Sequence, residues 1–333
     1  MSAKRPLKTV LTHLICAATV LAATATVASA ADKAVLLLNW YNYGEHAPFY
    51  LGVEKGLFAK EGIELEIQEG RGSGITVQAT AAGSATFGYA DFGTMVKAAV
   101  KGAPVKAVGI MLQKSPMSVE GFADKNIRTP KDLVGKTVIS TPGDSFSQLW
   151  PALLKINGVD EKSVKMISGD APTKRNAVIS GQADALLGNV NDQKPLIEEA
   201  TGKPVHAMLF GDFGVNTVNG AFIVTTDLLK TNPDLVKRFL RAATTAVADA
   251  KANPAAAVDA MLKVNPKAGK RETLLASWTV TVPLLHTEHS AGKPPLWTDP
   301  ADIAGTLDIL ATYSGVDVKP NQAETFYTNA FLP

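Results

Sequence analysis

Cysteine is all but missing: the only one in 333 residues is Cys16, so the rest of the chain has neither a disulfide framework nor a thiol nucleophile. Histidine is scarce too, with five in all, and the pair His286 and His289 in "HTEH" lacks the i, i+4 spacing of a helical zinc site. No phosphate loop ending in Gly-Lys-Ser/Thr is present, nor a Gly-x-Ser-x-Gly elbow or a Gly-x-Gly-x-x-Gly turn, so the common nucleotide-dependent and serine-nucleophile chemistries lose their sequence support. No stretch after the first thirty residues is apolar for long enough to span a bilayer. A metal, a cofactor and catalysis are therefore not expected.

The first thirty residues hold an export pattern. Lys4, Arg5 and Lys8 precede the apolar run "TVLTHLICAATVLAATATV", which ends in the small residues of "ASA", and this predicts a signal peptide over 1–30, cut after Ala30. Cys16 follows Ile15 and lies too early in the run for a lipid-modified cysteine. Without those residues the balance is 30 basic against 31 acidic, a net of −1, so the formal +2 of the whole chain gives no electrostatic case for nucleic acid or an anionic membrane.

After residue 31 short apolar strands alternate with helical patterns, which is the signature of an α/β fold with largely parallel sheets. "AVLLLNW" reads as a strand buried on both faces, Pro48 as the first turn of a helix running to Gly62, and "IELEI" as a strand with one wet face. "ATFGYA" and "VKAVGIM" complete a first lobe. A second lobe begins near Asp124, with strands "KTVIS", "VKMI" and "DALLG", and the chain leaves it around "NTVNGAFIV". The remainder is helix-rich and punctuated by Asn-Pro pairs at Asn232, Asn253 and Asn265. "AAGSATFGYAD" and "VISGQADALLGN" both run from helix to glycine to buried strand to an abrupt polar residue, Asp91 or Asn189, as two similar lobes would.

Ligands of open α/β sheets bind beyond the carboxyl ends of the strands, where helix N-termini present unpaired N–H groups. Five segments fall at that edge. They supply Asn39, Trp40, Tyr41, Glu45 and His46 from "NWYNYGEH", Gly72, Ser73 and Gly74 from "GRGSG", Ala90 and Asp91 from "YAD", Thr141, Asp144 and Ser145 from "STPGDS", and Asn189 from "GNVND". Met117 and Asn219, in the expected crossovers, complete the candidate set. Trp40, Tyr41 or Tyr43 can stack on a planar ring, and Asp91 or Asn189 can accept its N–H groups. An anionic ligand would instead use donors such as Arg71, Ser145 and Ser147, against the negative potential of Glu45 and Asp91.

"HAPFYLGVEKGLFAKEGIELEI", "AAGSATFGYAD" and "KGAPVKAVGIM" resemble the periplasmic substrate-binding proteins of ABC importers for thiamine pyrimidine precursors and for nitrate, sulfonates and taurine. Weaker likeness continues through "TPKDLVGKTV", "GQADALLG" and "NPDLVKRFL". The resemblance implies a bilobed type II periplasmic binding protein, with two mixed, mostly parallel sheets and helices on both faces. Residues 31–122 and 218–333 would form the first lobe and 123–217 an inserted second lobe. It implies as partners a small ligand and a membrane permease with its ATPase, with the chain acting as a periplasmic monomer without a cofactor. "NW" with a histidine six residues after the Trp is similar to the pyrimidine-precursor branch, and sulfonate, taurine or nitrate is the alternative. A related group on this fold synthesises the pyrimidine, but carries a cysteine-rich motif that this chain lacks.

Overall fold

A computed structural model describes Met1, residues 31–142 and residues 144–333; the expected signal peptide, Met1 apart, lies outside the described residues. Along the chain the strands are β1 (Asp32–Leu37), β2 (Ile63–Gln68), β3 (Phe87–Ala90), β4 (Val105–Leu112), β5 (Met117–Phe122), β6 (Thr137–Ser140), β7 (Lys165–Ser168), β8 (Ala185–Asn189), β9 (Val205–Leu209) and β10 (Asn219–Thr225). They form two five-stranded sheets, in the orders β2-β1-β3-β10-β4 and β7-β6-β8-β5-β9. Each is parallel through its first three strands, and in each the fourth, β10 or β5, runs antiparallel to both neighbours. Position in the sheet explains the sequence patterns: central β3 is buried at every residue, whereas edge strand β2 alternates between core and solvent.

The chain crosses between sheets twice, through residues 113–116 and 210–218. The first crossing precedes the boundary expected after residue 122, because Met117–Phe122 pairs with β8 and β9 in the second sheet. "MSVEGF" hides this strand from a hydrophobicity reading, since it buries Ser118 and Glu120 completely.

The helices are α1 (Ala47–Glu54), α2 (Leu57–Lys60), α3 (Ser73–Ala81), α4 (Phe92–Val100), α5 (Ser145–Ile156), α6 (Ala171–Ile179), α7 (Gln193–Thr201), α8 (Leu228–Thr231), α9 (Pro233–Ala252), α10 (Pro254–Val264), α11 (Arg271–Thr281), α12 (Pro300–Ser314) and α13 (Ala323–Phe326). The single helix expected from Pro48 to Gly62 is two, divided at Gly56, whose φ of 66° no helix accommodates. The Asn-Pro pairs at 232 and 253 are helix starts: Asn232 and Asn253 accept from the N–H groups of Leu235 (3.2 Å) and Ala256 (3.1 Å), and the prolines open α9 and α10. α9 anchors the first sheet by stacking Phe239 on Phe87 with ring centroids 3.8 Å apart. α12 packs on both lobes, with Ile303, Leu307 and Leu310 in the core of the first and Ile309 and Tyr313 against the core of the second.

Candidate functional site

A cavity of about 430 Å³ lies where the carboxyl ends of the two sheets meet. Its first-lobe wall begins in the loop after β1, and the glycine loop after β2 sets that wall's shape. Gly70 packs so closely on the preceding strand that a Cβ there would lie 1.8 Å from the carbonyl oxygen of Leu38. The Gly72 N–H donates to the carbonyl of Asn39 at 2.8 Å, and Gly72 holds a φ of 127° that favours glycine. Two glycines thus clamp Asn39 and Trp40 at the strand end, leaving the Trp40 ring half-buried, 5.3 Å from Tyr41.

Asn39, Trp40, Gly72, Ser73, Gly74, Asp91 and Asn219 line the cavity from the first lobe, and Thr141, Asp144, Ser145 and Asn189 line it from the second. Five other candidates sit behind this surface. His46 is fully buried and bonds Asn39 Oδ1 through Nε2 at 2.8 Å; burial lowers its pKa to about 3, so it stays neutral and positions Asn39. Glu45, also buried, accepts from Tyr89 Oη at 2.7 Å and Asn191 Nδ2 at 2.6 Å, and burial raises its pKa. Tyr41 Oη donates to Asp192 Oδ1 at 2.8 Å. Ala90 is core within β3, and Met117 pairs with Asn189 at the start of β5, beside a minor cleft. These five support the wall rather than form it.

Among the described residues five helices begin at the cavity: α3 at Gly72 and α7 at Asp192 without a side-chain cap, and α4, α5 and α6, each capped by an aspartate. Asp91 Oδ1 accepts from the Thr94 N–H at 2.7 Å and from Thr94 Oγ1 at 2.6 Å at the head of α4. Asp144 accepts from the N–H groups of Ser147 (2.7 Å) and Thr141 (3.2 Å) at α5, and Asp170 from that of Thr173 (2.9 Å) at α6. All three line the cavity. Burial raises the Asp91 pKa although its Thr94 bonds oppose the shift, whereas those to Thr173 lower that of Asp170.

The second-lobe wall adds groups absent from the candidate set. Lys174, one turn into α6, is only 4% exposed and donates to the Leu187 carbonyl at 2.8 Å. Asp192 accepts from Tyr41 and from Gln193 Nε2 (2.7 Å), and burial raises its pKa. Gly188 is needed between them, since a Cβ there would lie 2.9 Å from Glu120 Oε1 and 3.0 Å from Gln193 Cγ. Tyr43, Thr94, Pro142, Phe146 and Gln148 complete the lining with Arg71, already considered as a donor. The missed signal was "SGDAPTK" after β7. It repeats the polar strand end, aspartate cap and first-turn proline used elsewhere, and its lysine follows four residues after the cap.

A family model described as NMT1/THI5 like matches residues 43–257. The chain is 25% identical over 238 residues, 71% of its length and 75% of the relative's, to a 4-amino-5-hydroxymethyl-2-methylpyrimidine phosphate synthase of Legionella pneumophila. It is 26% identical over 315 residues, 91% of its length and 86% of the relative's, to the riboflavin-binding protein RibY of Chloroflexus aurantiacus. Among solved structures, the alkanesulfonate-binding protein SsuA from Xanthomonas axonopodis pv. citri bound to MOPS aligns with a TM-score of 0.66 at 15% identity, covering 89% of this chain and 98% of that one. The last likeness is one of fold: two lobes joined by two crossings. No helix among the described residues is long and apolar enough to cross a membrane.

Proposed function

The chain belongs to the NMT1/THI5-like family, and from that premise we propose that it is the solute-binding component of an ABC importer, closing two lobes over an amino-bearing heterocycle such as a thiamine pyrimidine precursor. The observation that carries the ligand class is the trio of helix caps. A sulfonate or nitrate is held by helix N-termini that turn free N–H groups toward it; of the helices that begin at this cavity only α3 opens without an acid at its head, whereas α4, α5 and α6 each place a capping aspartate there. With Asp192, four carboxylates face two cations, Lys174 and Arg71, so the wall offers more acceptors than donors. A neutral ring with amino groups meets that need, and Trp40 supplies a face for it.

The names of the Legionella and Chloroflexus relatives, one a pyrimidine phosphate synthase and the other a riboflavin-binding protein, agree with a nitrogen heterocycle. The synthase also keeps catalysis in view as the second reading. Binding alone requires the ligand to be recovered unchanged after long incubation with pure protein, and time-dependent conversion would establish the enzyme. The proposal extends to export, with the signal removed after Ala30, a periplasmic monomer and a permease with its ATPase as partner; N-terminal sequencing starting anywhere but Ala31 would refute the cleavage site.

Asp91→Asn tests the ligand class, since asparagine still caps a helix but carries no charge. On calorimetry it should weaken binding of 4-amino-5-hydroxymethyl-2-methylpyrimidine by roughly 5- to 30-fold and strengthen binding of a simple anion such as nitrate or methanesulfonate. Tight taurine binding by the unaltered chain, with no pyrimidine binding, would reverse the assignment.

A further inference from the structure

Lys174 is the one buried cation among the described residues that line the cavity; Arg71, the other cation there, is exposed. A lysine is rarely this buried without full pairing. Its ammonium has three N–H donors, but among the described residues it forms only one hydrogen bond, to the Leu187 carbonyl at 2.8 Å. Asp144 Oδ2 lies 3.7 Å away, close enough to favour the charge and too far for a hydrogen bond, and the Phe146 ring lies 5.2 Å from Nζ. The neighbouring lining groups include unspent acceptors: Asn189 Oδ1 and Gln193 Oε1 are buried without partners among the described residues. The wall therefore pairs unsatisfied acceptors with one under-used donor of full positive charge.

We propose that Lys174 is a specificity-determining residue that reads a carbonyl oxygen on the ligand, alongside the amino groups taken by the acceptors. The inference rests on the heterocycle reading above and narrows it to rings bearing both an amino or ring N–H group and an uncharged carbonyl. A carbonyl accepts from the ammonium without bringing a full negative charge among Asp91, Asp144, Asp170 and Asp192.

Three probes test it by calorimetry: 4-amino-2,5-dimethylpyrimidine, its analogue carrying a formamidomethyl group at position 5, and riboflavin. The unaltered chain should prefer a carbonyl-bearing probe. Lys174→Met should lose about 10- to 100-fold on that probe and less than about threefold on the dimethylpyrimidine. Lys174→Arg, which keeps charge and donors, should retain most of the preference, and serves as the readout if the methionine variant does not fold. An undiminished preference in Lys174→Met would overturn the proposal, as would an equal loss on every probe in both variants, the mark of a structural role. If the unaltered chain binds none of the three, the heterocycle reading falls and this proposal with it; if it binds them and only the Lys174 contrast fails, the heterocycle reading stands.

Discussion

Strands β3 and β8 hold the same third place in their sheets and bring Asp91, just past the end of β3, and Asn189, the last residue of β8, to the cavity, yet the ground behind them differs in kind. Behind the first wall Tyr43, His46, Phe49, Tyr89 and Phe222 form a continuous aromatic cluster, with His46 and Tyr43 centroids 4.4 Å apart. Behind the second, Ser118, Glu120, Lys174 and Gln193 put polar groups at full burial. The aromatic backing makes few demands on a ligand, because the acid buried within it, Glu45, is already bonded to Tyr89 and Asn191. A buried polar backing suits discrimination, because every unpaired group there penalises a ligand that does not match it.

The largest expected effect is on titration, where buried acids in both lobes shift upward and His46 shifts downward. Burial lowers His46 to about 3 and raises Glu120 to about 8, since it disfavours the charged form of each. His46 is neutral in the folded state, so stability is lost as acid protonates the unfolded chain, from about pH 6.5 down to 3. Glu120 keeps a proton that the unfolded chain releases above about pH 4.5, so stability is lost as pH rises from there to about 8. Glu120→Gln stays neutral throughout. It should therefore be more stable than the unaltered chain by about 3 kcal/mol at pH 7 and nearly equal to it at pH 4, by urea unfolding, with the acid limb unmoved. Glu45, Asp91 and Asp192, also raised by burial, leave a residual alkaline loss in either protein, so a loss of unchanged size in the variant would mean Glu120 does not contribute to it.

Stacking on the first wall gives the next largest effect. Trp40→Ala should weaken heterocycle binding by roughly 1–3 kcal/mol, in the range of base stacking on aromatics. The chain should keep its fold, because the ring is half-exposed and the clamping Gly70 and Gly72 bonds run through the backbone. Calorimetry showing unaltered affinity in a folded variant would leave the aromatic wall without a binding role.

How far the sequence could be read follows the same divide. The first lobe was legible because β1, β3 and β4 are apolar runs and edge strand β2 alternates, α1, α4, α9 and α10 open on proline or aspartate, and Asn39, Trp40 and Asp91 stand where strands stop. β5 was not, because Ser118 and Glu120 break the pattern that marks a buried strand, and their tolerance there depends on a mutual hydrogen bond of 2.8 Å that only the fold brings about. Lys174 was missed for a related reason: a lysine in the first turn of a helix reads as solvated, and only the placement of α6 against β8 buries it. Glu45, His46 and Tyr41 were expected on the ligand with Asn39 and Trp40, but their partners Asn191, Asn39 and Asp192 turn them inward or across to the other lobe.

Tyr41 joins the two regions and yields the smallest effect. Its hydroxyl donates to Asp192 across the cavity edge at 2.8 Å, and both burial and the Asp192 charge raise its pKa, so it remains a donor across the working pH range. Among the described residues Asp192 has one other side-chain donor, Gln193 Nε2 at 2.7 Å, and keeps that bond when the hydroxyl is removed. Tyr41→Phe should therefore cost about 1 kcal/mol, close to a fivefold loss of affinity. The bond runs between the lobes, so its loss should ease opening and appear mainly in a faster ligand off-rate, with the preference among heterocycles unchanged. Stopped-flow release measurements give the check. An unchanged off-rate would show that the Tyr41–Asp192 contact does not hold the lobes together, and a changed preference would place Tyr41 on the ligand itself.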